Sequence, residues 1–170
     1  MSNFSPDYLS EPVAKLVINL AEALLSKRLI MATAESCTGG WIAQSLTALA
    51  GSSRWFDTGF VTYSNDAKHN LLEVPDSYFD FDGPGAVSEE TVLAMAQGAV
   101  SKSRANVAVA VSGVAGPDGG TDEKPVGTVW IAWQWEDKSF ARCFQFSGDR
   151  EAVRYATLVA ALEGSLALVV

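Results

Sequence analysis

Short apolar runs rich in β-branched and aromatic residues alternate with segments of helical period along most of this chain. Only one pair of runs is joined by a link too short to hold a helix. Val13, Leu16, Val17, Leu20, Ala21, Leu24 and Leu25 recur at three- and four-residue intervals behind Pro12, which suits a first helical turn. Residues 29–34 form a strand-like run ending in Glu35-Ser36-Cys37-Thr38-Gly39-Gly40, after which Trp41, Ile42, Leu46 and Leu49 return to a helical period. Residues 56–63 read as a second strand, and Ser64-Asn65-Asp66 are good helix starters that place Lys68 in a first turn. Residues 74–85 have loop composition, and Ser88 with Glu89 and Glu90 opens a helix through Val92, Met95, Ala96 and Ala99. Residues 106–113 alternate small and β-branched apolar side chains like a buried strand. Residues 127–135 and 140–146 make a strand pair, and Gly148-Asp149 starts a last helix carrying Tyr155, Leu158, Val159, Leu162 and Leu166.

Strands separated by helices predict an α/β fold, a three-layer α/β/α sandwich. The Glu136-Asp137-Lys138 link permits only an antiparallel pair at that point, so the sheet is expected to be mixed and mostly parallel. At 170 residues, 48% hydrophobic and 19% charged, residues 1–170 fit one domain with a sizeable core. The formal charge of −8 leaves no basic stripe to neutralise a phosphate backbone, so nucleic acid is not expected as a partner. The first fifteen residues lack the pattern of a secretory leader, and no apolar run approaches the ~20 residues of a membrane span. A cytoplasmic setting without membrane partners is therefore expected. Cys37 and Cys143 show no metal-like spacing, and reduced thiols are expected there.

In such folds ligands collect beyond the strand ends, where loops lead into helix N-termini. Ser36 sits between a strand and a glycine pair opening a helix, where it can either cap the helix or face a ligand. There is no G-x-S-x-G elbow, and the sole histidine, His69, directly follows Lys68. Lys68, in a first turn, meets the positive end of the helix dipole, a field that disfavours its charged form and lowers its pKa. Such a lysine can take the proton of a serine hydroxyl and return it to a leaving amine. A surface lysine paired with Asp66 is the plainer alternative. Tyr63 lies where it could bond to such a Ser/Lys pair or simply pack. Arg150 and Arg154 are cations at the start of the last helix, against the dipole, so an anionic ligand or pairing with Asp149 or Glu151 accounts for them. The loop containing Gly113 and Gly116 offers approachable backbone but lacks the ending of a P-loop. Cys37 reads as a small buried hydrophobe, and no carboxylate or histidine spacing calls for a metal.

Taken as a set, Ala34-Glu35-Ser36-Cys37-Thr38-Gly39-Gly40, Val61-Thr62-Tyr63-Ser64-Asn65-Asp66-Ala67-Lys68, Gly113-Val114-Ala115-Gly116-Pro117 and Lys124-Pro125-Val126-Gly127-Thr128 resemble the C-terminal domain of the competence/damage-inducible protein CinA. Gly85-Ala86-Val87-Ser88 and Gly148-Asp149-Arg150 extend the match, with Ser112 standing where threonine is expected. The resemblance implies a five-stranded sheet and amidohydrolase activity on nicotinamide mononucleotide, in pyridine-nucleotide recycling, without a cofactor or metal. It also implies Ser36, Lys68, Tyr63 and Arg150 as catalytic residues. Thr38, Gly39, Asn65, Gly113 and Gly116 are the expected substrate contacts, with N–H groups near Thr38 and Gly39 as the oxyanion site. The expected partner is the small-molecule substrate, and a homo-oligomer is allowed. The competing reading is a nucleotide-binding module that keeps the pocket without turnover.

Overall fold

The computed structural model describes residues 9–170. Its elements, in order, are α1 (Glu11–Lys27), β1 (Met31–Glu35), α2 (Trp41–Thr47), β2 (Phe56–Val61), α3 (Asn65–Leu72), α4 (Glu89–Ser101), β3 (Val107–Gly113), β4 (Thr128–Trp135), β5 (Lys138–Gln145) and α5 (Arg150–Val169). Short 3-10 turns at Ser52–Arg54 and Asp76–Phe79 occupy two of the connections. The expected helix starts are realised with side-chain caps. Ser64 Oγ accepts from Ala67 N at 3.1 Å, Ser88 Oγ from Thr91 N at 3.2 Å, and Asp149 Oδ1 from Ala152 N at 2.9 Å.

The five strands lie in the order β2-β1-β3-β4-β5. β1 pairs in parallel with β2 and β3, whereas β3–β4 and β4–β5 are antiparallel, so β4 alone runs against the other four strands. The three-layer mixed sheet is therefore as the sequence implies. This directionality gathers the chemistry, because the carboxyl ends of β1, β2, β3 and β5 share one edge. Ser36, Tyr63, the 113–120 loop and Arg150 all follow those ends.

The two faces of the sheet are built differently. Met31, Val107, Val109, Val111, Ile131 and Trp133 point toward α1, α2 and α5, joining Leu20, Leu24, Leu158 and Leu162 in one core. Truncating any of these fully buried leucines to alanine costs about 2–5 kcal/mol. The opposite face presents Ala32, Ala34, Ala108, Ala110 and Ala132, small enough for α4 to lie close against the sheet. α3 is then drawn onto α4 at Gly98, where an added Cβ would stand 2.2 Å from Leu72 O. That close approach sets the position of the helix carrying Lys68.

The 20 residues of α5 include an 18-residue stretch of mean hydropathy 1.4, long and apolar enough to cross a membrane by length and composition, although it is no unbroken apolar run. In the fold its Val153, Leu158, Ala161 and Leu162 are buried against the sheet and α1.

Candidate active site

Neither Ser36 nor Thr38 caps α2. The N-cap is Gly40, at φ 95°, and Gly39 before it has φ 62°, left-handed conformations that glycine reaches without strain. The capping group comes instead from the last residue of β1. Glu35 is fully buried and accepts at Oε2 from Thr38 Oγ1 (2.7 Å), Gly40 N (3.0 Å) and Ile42 N (3.0 Å). Its Oε1 accepts from Ala43 N at 2.8 Å and more weakly from Thr33 Oγ1 at 3.4 Å. The positive end of α2 is thereby occupied by a protein carboxylate, and the Ser36 hydroxyl is released from capping.

The released hydroxyl meets Lys68. The lysine Nζ lies 3.1 Å from Ser36 Oγ, 2.9 Å from Thr62 O and 3.4 Å from Tyr63 O. Lys68 is 1% exposed and Ser36 8%, so the pair is shielded from bulk water. Burial lowers the lysine pKa from 10.5 to about 8. Lys68 thus packs inward rather than reaching to Asp66. As a neutral amine it can donate to the two carbonyls and present its lone pair to the serine hydroxyl.

Tyr63 approaches the pair through its carbonyl rather than its ring. Its side chain is 61% exposed, and its hydroxyl accepts from Arg150 Nη2 at 3.0 Å. Arg150 Nη1 donates to Gly116 O at 2.9 Å, so this one guanidinium ties α5 to the loops after β2 and β3. Arg154 pairs with neither Asp149 nor Glu151. It donates from Nε to Cys37 O (3.1 Å) and from Nη2 to Thr38 O (2.9 Å), with its guanidinium 5.3 Å from the centre of the Trp41 ring.

The expected substrate contacts divide. Gly116 is buried and engaged with Arg150, Gly113 ends β3 opposite Val129, and Asn65 is exposed at the first position of α3. The Thr38 side chain faces Glu35, and the Gly39 N–H is taken by Ser36 O at 3.0 Å. In the turn the N–H groups of Cys37 and Thr38 find no acceptor among the described residues, and both residues are buried. Beside the turn opens a cleft of about 530 Å³ lined by Gly39, Trp41, Gln44, Asp149, Arg150, Glu151 and Arg154. Ser112 Oγ donates to Ala86 O at 2.6 Å, joining the loop before α4 to the end of β3.

The family model of the CinA C-terminal domain matches residues 13–169. The chain belongs to this family. Nicotinamide-nucleotide amidohydrolase PncC of Pseudomonas putida is 52% identical to this CinA domain over 158 residues, covering 93% of the chain and 98% of that protein. The PncC of Escherichia coli K12 is 49% identical over 145 residues, covering 85% and 87%. Among solved structures, the competence/damage-inducible protein CihA from Agrobacterium tumefaciens superposes with a TM-score of 0.91 at 42% identity, over 99% of both chains.

Glu35 is the residue of this CinA domain that the sequence reading left without a role. An acidic residue closing an otherwise apolar strand was the available signal, since such a carboxylate is buried only with several donors around it. His69 Nδ1 stands 2.9 Å from Val74 O and 3.4 Å from Asp76 Oδ1, on contacts separate from Ser36 and Lys68. Cys37 is buried, and desolvation raises its thiol to about 11. Cys37→Ser is therefore expected to keep most of the activity. A loss as deep as that of Ser36→Ala in parallel rate measurements would transfer the nucleophile to the thiol.

Proposed function

We propose that this CinA domain hydrolyses the carboxamide of nicotinamide mononucleotide to nicotinate mononucleotide and ammonia. The observation that carries the reading is the buried 3.1 Å contact between Lys68 Nζ and Ser36 Oγ, in a chain about half identical to named nicotinamide-nucleotide amidohydrolases. Lys68, neutral, accepts the hydroxyl proton as Ser36 Oγ attacks the carboxamide carbon. An N–H of the turn at Cys37-Thr38 binds the oxyanion of the tetrahedral intermediate. Collapse expels ammonia, which takes the proton held by Lys68. Water, activated by the same amine, then cleaves the acyl-serine ester and regenerates Ser36. Arg150 and Tyr63, with Gly116, hold the loops against which the nucleotide rests, and Asn65 and Gly113 flank that surface. The reaction as written needs no cofactor or metal, and the setting that suits it is the cytoplasm.

Ammonia release from nicotinamide mononucleotide by the purified protein tests this directly. Turnover is expected, unchanged after exhaustive chelation. Binding of the nucleotide without ammonia release would leave only a binding module. Loss with EDTA and recovery with a divalent ion would replace the metal-free mechanism.

A further inference from the structure

We propose that Glu35 and Arg154 are positioning residues for the nucleophile, holding the turn at 37–40 from opposite sides. Between them they fix the peptide planes of the turn and aim Ser36 Oγ at Lys68. The inference rests on the Ser36/Lys68 reading above and concerns how that pair is assembled.

On one side of the turn Glu35 gathers the N–H groups of Gly40, Ile42 and Ala43 and the hydroxyl of Thr38. A serine or threonine in the turn could have capped the helix through a single hydroxyl, the usual arrangement. Using the carboxylate of the preceding residue costs the desolvation of a charge, offset by its several donors. The arrangement leaves the Ser36 hydroxyl unengaged except by Lys68.

On the other side Arg154 receives the carbonyls of Cys37 and Thr38. A trans peptide is planar, with its N–H opposite its C=O. Turning Cys37 O toward α5 therefore turns the Thr38 N–H away from it. Likewise, turning Thr38 O toward Arg154 sends the Gly39 N–H back to Ser36 O, where it is bonded at 3.0 Å. The two side chains thus fix successive peptide planes of the turn. The guanidinium is held in turn by the Trp41 face, so the clamp is anchored at both ends.

The test labels Ser36 with a fluorophosphonate, whose phosphorus bonds to Ser36 Oγ as fluoride leaves and the serine proton passes to Lys68. Labelling rates are measured from pH 6 to 10 for wild type, Ser36→Ala, Glu35→Gln, Arg154→Met and Arg154→Lys, with thermal unfolding of each. Glu35→Gln puts an amide NH₂ among N–H donors, and the plateau rate is expected to fall about 100-fold, since small misplacement of reacting groups costs that much. Arg154→Met is expected to lose about tenfold, with Arg154→Lys recovering part, because an ammonium reaches one carbonyl rather than two. In all three the pH midpoint, set by Lys68, is expected to stay near 8. Wild-type labelling with an unchanged plateau in folded Glu35→Gln and Arg154→Met overturns the positioning role alone. So does a moved midpoint at full plateau, which would make Glu35 a charge acting on Lys68. Should Glu35→Gln fail to fold, Arg154→Met decides, since it leaves the Glu35 bonds in place. Absence of labelling at Ser36 in the wild type overturns the nucleophile reading and the positioning role with it.

Discussion

Ser36→Ala is expected to lower ammonia release from nicotinamide mononucleotide by three orders of magnitude or more, an effect on the order of that seen when a nucleophile is removed from a serine hydrolase. The rest of the site predicts what survives. Glu35 holds the turn through backbone N–H groups and Thr38, and Arg154 through backbone carbonyls, so neither depends on the Ser36 side chain. Substrate affinity measured by calorimetry is therefore expected to change little while turnover collapses. Substantial residual turnover would mean that water attacks the carboxamide directly, with Lys68 as its base, and the acyl-serine intermediate would be withdrawn.

The second large effect concerns Lys68. With its pKa lowered to about 8 by burial, the amine is mostly protonated at pH 7 and mostly neutral at pH 9. Only the neutral form accepts the serine proton. The rate is therefore expected to rise about tenfold per pH unit well below 8 and to level off above it. Lys68→Arg is expected to be as inactive as Lys68→Ala, because a guanidinium stays protonated at any working pH. A pH–rate profile of wild type beside single-pH rates of the two variants checks both statements. An active arginine variant would make Lys68 an electrostatic anchor and send the search for the base elsewhere. His69, its neighbour, is already engaged with Val74 O and Asp76.

The parts of this reading carried by the sequence were those with local causes. Ser64, Ser88 and Asp149 announce helix starts because a cap requires only a short polar side chain and N–H groups two or three residues on. The alternation in β3 shows a strand buried on both faces, although not which face would take the alanines. Lys68 stood out because a cation in a first helical turn is anomalous wherever the helix lies. Arg154 was legible only as an anomaly. Its partners are carbonyls 116 and 117 residues away in sequence, and carbonyls leave no mark in a residue pattern. Thr38 was assigned to substrate through its place in a motif, but its hydroxyl is committed to Glu35.

By itself, then, the sequence determined the succession of elements, the mixed sheet forced by the two-residue link between β4 and β5, and which serine and lysine stood out as candidates. Periodicity, capping chemistry and motif spacing act over a few residues, so they can be read along the chain. Tertiary structure decided which of several hydroxyls would be left to Lys68 rather than spent on capping. That outcome depends on a carboxylate folding back over its own turn and on an arginine arriving from a helix more than a hundred residues later. It also decided the depth at which Lys68 is buried, through the alanine face of the sheet and the contact of α3 with Gly98 of α4. Desolvation, and with it the lysine pKa, belongs to the assembled layers and to no segment alone.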